Sequence, residues 1–133
     1  MAKDDNILVV REYLKALENG EAGETLARFF NTNATQIEWP NKLNPTGGQS
    51  DLRTMLKRSE EGKKLLKKQT YAIKNEIIDG DNIAVEAEWT GTLALTVAEL
   101  AAGYEMKAHF AMFFTFENGR ILTQKNYDCF EPW

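Results

Sequence analysis

The chain has 133 residues, a length that fits one domain with its own buried core. Hydrophobic residues make up 43% of the sequence, charged residues make up 27%, and the net charge is −4. Proteins that bind nucleic acid usually present a basic surface, whereas the basic cluster here, Lys63 to Lys68, lies beside Glu60 and Glu61 at the spacing of a solvated helix face. No run approaches the roughly 20 apolar residues of a membrane span. We therefore expect a single domain whose partners include neither nucleic acid nor a membrane.

The single cysteine, Cys129, has no second cysteine with which to form a disulfide within the chain. No Cys or His residues follow the ligand spacing of a structural metal site. The first residues, Met1 to Asn6, lack the basic start and apolar stretch of a signal peptide. These features predict a cytoplasmic protein without a bound metal.

The first half of the chain is predicted to form helices with one strand between them. Apolar residues repeat at helical spacing until Asn19-Gly20, a typical helix end. A short second helix is predicted over residues 22–30, and residues 34–39 alternate as a strand. After a loop rich in glycine and proline, Ser50 is the predicted N-cap of a third helix.

The second half is predicted to form a four-stranded antiparallel meander over residues 70–78, 82–95, 104–117 and 120–130. Asp79-Gly80-Asp81 fits the first hairpin turn, and Asn118-Gly119 is a strong two-residue hairpin signal. Helices that precede such a sheet must pack on one of its faces. The sequence therefore predicts an α+β fold: a cone-shaped, strongly curved antiparallel sheet with the three helices of the N-terminal half on its concave face.

The two-residue turn also predicts the pairing of the last hairpin. Counted inward from Glu117 and Arg120, it places Phe113 opposite Gln124, Ala111 opposite Asn126 and His109 opposite Asp128, all on one face. Polar groups that converge on an apolar face are typical of a small-molecule site. We therefore expect Gln124 and Asn126 to contact a ligand.

His109 and Asp128 are the candidate catalytic residues. A carboxylate beside an imidazole would fix its tautomer and raise its pKa, which gives a pair that can exchange protons with a substrate. The alternative is a structural hydrogen bond that satisfies the histidine, and a bulge of one residue would break the pairing altogether.

Aromatic and methionine side chains are the candidates for an apolar pocket wall: Tyr13, Trp39, Met55, Trp89 and Phe113. Each of them alone is more typical of plain core, but an open cone needs some such side chains toward its cavity. The strand over residues 108–116 is apolar on both faces, so its outer face needs a cover. A homodimer through the outer face of the sheet is the simplest source of that cover.

The order of elements and three short segments resemble the SnoaL-like branch of the nuclear-transport-factor-2-like superfamily. The segments are Trp39-Pro40, Asn118-Gly119-Arg120-Ile121 and Asn126-Tyr127-Asp128. The resemblance extends over nearly the whole chain. It implies one SnoaL-like domain over residues 1–133, a dimer without cofactors, and a pocket for a small, largely apolar organic molecule. Such proteins include polyketide cyclases, limonene-epoxide hydrolases, ketosteroid isomerases and dehydratases, so isomerisation, cyclisation, dehydration and hydrolysis all stay open. A non-catalytic module for ligand binding or dimerisation is the alternative.

The family's catalytic residues carry over only in part. SnoaL-like cyclases and epoxide hydrolases typically present an acid six residues after the basic residue of the turn, which is Asn126 here. Asp128 follows on the same face and is the candidate substitute. Ketosteroid isomerases place an aspartate before a proline at the end of the first strand, where this chain has Trp39, with Glu38 expected to face the opposite way. Tyr13 matches the pocket tyrosine of their first helix.

Overall fold

The computed structural model describes residues 3–133, so Met1 and Ala2 lie outside the described part. The helices are α1 (Lys3–Glu18), a 3-10 helix (Gly23–Phe29) and α2 (Leu52–Leu65). The strands are β1 (Phe30–Glu38), β2 (Gly48–Asp51), β3 (Leu66–Asp79), β4 (Asn82–Leu93), β5 (Glu105–Glu117) and β6 (Arg120–Phe130). The predicted order of helices and strands is confirmed, with β2 as an addition. None of the described helices is long and apolar enough to cross a lipid bilayer.

All six strands form one sheet in the order β2-β1-β6-β5-β4-β3. The meander β3 to β6 is antiparallel throughout, as predicted. β1 pairs with β6 in the parallel direction and with β2 in the antiparallel direction. The parallel pair brings the first strand of the chain beside the last one, which places residues from both ends of the sequence on the same inner face.

The core lies between the inner, concave face of the sheet and the helices. α1 buries Val10 and Leu14, and β4 and β5 bury alternate residues, among them Val85 and Met112. This arrangement confirms the predicted α+β class. The apolar residues of α1 and of the sheet thus meet in one layer, as amphipathic elements require for a stable domain.

Asp51, rather than Ser50, is the N-cap of α2. The Asp51 side chain accepts a hydrogen bond from the Thr54 backbone N–H at 2.8 Å. Ser50 lies one residue earlier, buried in β2, where its hydroxyl accepts a hydrogen bond from Arg58 at 3.3 Å. The predicted cap is therefore wrong by one residue, because both side chains can cap a helix and the short strand β2 takes up Ser50.

A bulge in the β5–β6 hairpin decides which side chains face the core. Asn118 and Gly119 have φ values of 54° and 77°, as a tight two-residue hairpin turn requires. Glu117 pairs with Arg120 as predicted, but the register shifts by one residue after Phe116. The observed partners are Phe114 with Gln124, Met112 with Asn126, and Phe110 with Asp128. The predicted pairing beyond the turn is wrong, because Leu122 is an extra residue in β6 and turns the rest of the strand over.

Candidate acid–base pocket

Two neighbouring strands supply the polar side chains of the inner face. The bulge places Gln124, Asn126 and Asp128 of β6 opposite buried residues of β5. The parallel pairing sets Gln36 of β1 beside Gln124 and Glu38 beside Asn126. Since paired residues in adjacent strands share a face, amide and carboxyl groups of β1 and β6 gather at one end of an otherwise apolar cone.

Asp128 holds a buried oxygen, Oδ1, that has no hydrogen-bond partner, and the same is true of Oε1 of Gln124. Burial, followed by the negative charge of Glu38, raises the pKa of the Asp128 carboxyl from 3.8 to about 7. A carboxyl group with such a pKa exists in both protonation states near neutral pH, so it can either give or take a proton there.

Gln124 connects the strand to α1. It is 2% exposed, and its Nε2 donates a hydrogen bond to Asn126 Oδ1 at 3.0 Å, which fixes the orientation of both amides. Burial raises the pKa of Tyr13 to about 12, and the nearby side chain of Gln124 acts in the opposite direction. The Tyr13 hydroxyl is therefore neutral at ordinary pH and can act as a hydrogen-bond donor.

Glu38 is an inner-face residue that the sequence assigned to the wrong side. Its Oε1 accepts a hydrogen bond from Arg58 Nη2 at 3.2 Å, and its Oε2 accepts one from Asn41 Nδ2 at 2.7 Å. Arg58 also donates to Ser50, as described above. The neighbouring residue, Trp39, points away from the core instead. Alternate residues of β1 therefore face the opposite sides from those expected. The sides follow from the register of β1 with β6, and a single sequence does not reveal that register.

A cavity of about 230 Å³ opens between α1, the 3-10 helix, β1 and α2. Its polar lining consists of Tyr13, Gln36, Glu38, Arg58 and Ser59, and its apolar lining consists of Leu17, Leu26, Phe30, Met55 and Leu56. Of the predicted wall residues, Tyr13 and Met55 thus line a cavity. A larger depression of about 600 Å³ lies on the other side of α2, but its charged side chains are exposed, so it lacks the enclosed polar groups of a typical site.

Trp89 is buried and belongs to the aromatic core. Its ring stacks on Phe110 with centroids 5.2 Å apart and an interplanar angle of 18°. Its indole N–H donates to Gln69 Oε1 at 2.9 Å. Tyr71 is a further inner-face aromatic, 6.1 Å from Phe110, and burial, followed by the charges of Tyr13, Asp128 and Glu18, raises its pKa. Phe110, the strand partner of Asp128, therefore joins an apolar cluster that helps to keep water from this carboxyl group.

The other predicted site residues lie on the outer face. The His109 side chain is 57% exposed, and its Nε2 lies 3.1 Å from Glu131 Oε2. His109 pairs with Cys129 in the sheet, so the predicted pair of His109 and Asp128 is wrong. Trp39 and Phe113 are exposed as well, and each ring packs against Tyr127, with centroids 5.9 and 5.6 Å apart. The shift of register at Leu122 explains why His109 and Phe113 do not share a face with the polar residues of β6.

Comparison with known proteins agrees with this architecture. The model of the SnoaL-like domain matches residues 10–124. AclR of Streptomyces galilaeus, a proposed hydroxylase, is 13% identical with a TM-score of 0.81, over 98% of this chain and 83% of that one. IdmH of Streptomyces antibioticus, a proposed polyketide cyclase, is 17% identical with a TM-score of 0.76, over 96% and 92%.

A protein of unknown function from Burkholderia pseudomallei, described as NTF2-like, is 19% identical with a TM-score of 0.72, over 98% of this chain and 92% of that one. Comparison with curated protein sequences gives no match. At these identities the solved structures support the fold, and the domain model, which spans most of the sequence, supports the family. The chain belongs to the family of SnoaL-like domains.

Proposed function

We propose that the protein is a cofactor-free acid–base enzyme that binds a small, largely apolar molecule and transfers a proton through Asp128. The observation that carries this proposal is the buried Oδ1 of Asp128, which has no partner and belongs to a carboxyl group with a pKa of about 7. A buried polar atom without a partner costs free energy. Such a cost is typical of a group that keeps its hydrogen-bonding capacity for a ligand.

The neighbouring residues support proton transfer next to a carbonyl group. Asp128 in its ionised state would accept a proton from a carbon atom, and the negative charge that develops on the substrate oxygen would need hydrogen-bond donors. Tyr13 supplies a neutral hydroxyl. Asn126 supplies an amide whose oxygen is already engaged by Gln124. Isomerisation, cyclisation and dehydration can each begin with such a step.

Exchange of α-protons for deuterium in 2-tetralone tests the proposal without knowledge of the natural substrate. The ketone gives up a proton to Asp128 and regains a deuteron from heavy water, so NMR can follow the loss of the α-proton signal. We expect the protein to accelerate exchange and the Asp128→Asn variant to lose about 100-fold or more of this acceleration. The Glu86→Gln variant, which removes an exposed carboxylate, is the matched control. Equal rates with wild type and Asp128→Asn would contradict proton transfer by Asp128.

The alternative is a binding protein without catalysis. It is favoured by the position of the cavity of about 230 Å³, which Glu38 and Arg58 line and Asp128 does not. A compound that stabilises wild type and Asp128→Asn equally, without proton exchange in either, would support this alternative.

We also propose that the protein forms a homodimer through the outer face of the sheet. Trp39, Phe113 and Tyr127 are 42%, 48% and 42% exposed, and Trp39 and Phe113 each pack against Tyr127. Exposed aromatic clusters of this kind are typical of interfaces. Sedimentation at micromolar concentration tests the proposal: we expect a dimer for wild type and a monomer for Phe113→Asp, and a wild-type monomer would contradict it.

A further inference from the structure

Two carboxyl groups of the inner face, Glu38 and Asp128, lie in opposite surroundings. Glu38 has a hydrogen-bond donor for each of its oxygens, whereas one oxygen of Asp128 has no partner at all. We propose that Glu38 is a positioning residue, clamped by Arg58 and Asn41, which keeps a fixed negative charge beside Asp128 and leaves the exchangeable proton to Asp128. This inference rests on the proposed function, because it assigns a role to a second residue of the same site.

The clamp on Glu38 is built from two different elements. Arg58 reaches it from α2 and is itself tied to the buried Ser50 of β2. Asn41 reaches it from the loop after β1, and the Asn41 side-chain oxygen accepts hydrogen bonds from the backbone N–H groups of Leu43 and Asn44, both at 3.1 Å. Arg58 and Asn41 thus engage both oxygens of Glu38 and fix the position of its carboxyl group.

The sheet places this carboxylate near Asp128. Glu38 lies directly beside Asn126 in the parallel pair, and Asp128 follows Asn126 by two residues on the same face. Residues on the same face of neighbouring strands are close enough to act on each other, and burial, followed by Glu38, raises the pKa of Asp128. Both side chains lie where burial weakens screening by water, so the like charge of Glu38 disfavours ionisation of Asp128.

Burial raises the pKa of Tyr71 of β3, and Tyr13 of α1, Asp128 and Glu18 of α1 act on the same tyrosine in the same direction. The carboxylate of Glu18 accepts a hydrogen bond from the backbone N–H of Tyr71 at 2.6 Å. Arg58 is engaged by Glu38, and burial keeps both tyrosines neutral. After burial itself, Glu38 is therefore the group that acts on Asp128.

The asymmetry assigns distinct tasks to the two carboxyl groups. When neighbouring acids are driven apart by their surroundings, one carries the proton and the other serves as a fixed charge. Glu38 would not contact the reacting carbon and is not a catalytic residue. It would instead set the pH at which Asp128 changes from proton donor to proton acceptor.

Titration of the carboxyl carbons by ¹³C NMR tests this assignment, with the Asp128→Asn spectrum identifying the Asp128 signal. In wild type we expect Asp128 to titrate near neutral pH while the Glu38 signal keeps one charge state through that range. In Glu38→Gln we expect the titration midpoint of Asp128 to fall by about one pH unit. Glu38→Asp, which retains the charge, should restore most of the wild-type midpoint.

The matched control is Glu86→Gln, which removes one carboxylate from the opposite face of the sheet, where Glu86 pairs with Ala111. It should leave the Asp128 midpoint unchanged. An unchanged midpoint in Glu38→Gln, or uptake of the proton by Glu38 in wild type, would overturn the assigned role of Glu38. The wild-type titration is informative even if Glu38→Gln fails to fold.

Failure of this inference is distinguishable from failure of the proposed function. If Asp128 titrates near neutral pH and supports exchange of 2-tetralone, but does not respond to Glu38→Gln, only the role of Glu38 is wrong. If Asp128 of wild type already titrates at its ordinary acidic value, the acid–base site itself is wrong.

Discussion

The two faces of the β5–β6 hairpin differ in what their side chains meet. The inner face carries buried phenylalanine and methionine on β5 and the polar series Gln124, Asn126 and Asp128 on β6. The outer face carries an exposed histidine and an exposed aromatic cluster. Both faces mix apolar and polar residues, so composition alone does not tell them apart. The difference lies in burial. On the inner face, burial raises the pKa of the Asp128 carboxyl, whereas the polar groups of the outer face stay in contact with water.

Neighbouring phenylalanines give the largest expected contrast between the faces. Phe114 is 1% exposed, whereas Phe113 is 48% exposed. Replacement of Phe114 by alanine should lower the free energy of unfolding by about 3–5 kcal/mol, because it leaves a cavity in the core. Replacement of Phe113 by alanine should change the stability of the monomer by about 0.5 kcal/mol or less. Urea denaturation at low protein concentration measures both values, and similar losses would contradict the assignment of faces.

Asp128 gives the next largest effect, which depends on pH. Between its ordinary pKa of 3.8 and its folded pKa of about 7, the folded protein binds the proton more tightly than the unfolded chain. The free energy of unfolding of wild type should therefore fall as the pH rises through this window, by about 1.4 kcal/mol for each unit of pKa difference. In Asp128→Asn this loss should disappear.

Denaturation of both proteins from acid to mildly alkaline pH measures this effect. Asp79→Asn, at an exposed turn position, is the control and should retain the wild-type pH dependence. A parallel pH dependence for wild type and Asp128→Asn would show that burial does not disturb Asp128.

His109 gives the smallest expected effect. Its contact with Glu131 joins two side chains that are 57% and 49% exposed, and exposed ion pairs contribute little to stability. His109→Gln should change the free energy of unfolding by about 0.5 kcal/mol or less. It should also leave the exchange of 2-tetralone at the wild-type rate. A large loss of exchange would return His109 to the site and contradict the observed register.

Local patterns predicted the helices and strands of the fold except β2. Helical spacing indicated α1, and the dipeptide Asn118-Gly119 indicated the last turn, because both depend on neighbours in the sequence. β2 was missed because Gly48–Asp51 is short and polar. The parallel pairing of β1 with β6 was missed as well, since the two strands are far apart in the sequence and no local signal reports such a contact.

The candidate site was predicted only in part. The polar series of β6 was identified and lies on the inner face, although none of its residues lines the cavity of about 230 Å³, and its partners on β5 were taken from the wrong face. Leu122 looks like any other strand residue, so nothing in its identity reveals the bulge. The sides of Glu38 and Trp39 were wrongly predicted for a similar reason. Which residues of β1 face the core depends on the register of β1 with β6.

The bulge at Leu122 sets which residues of β6 face the core, because every residue after it keeps the alternation that starts there. Deletion of Leu122 would keep Ile121 opposite Phe116 and Gln124 opposite Phe114, so the alternation of the strand would be preserved. One residue inserted after Thr123 would shift the alternation, sending Gln124, Asn126 and Asp128 to the outside and turning Lys125 and Tyr127 toward the core. An insertion of one residue at this point would therefore exchange the inner and outer faces of β6 without changing any side chain.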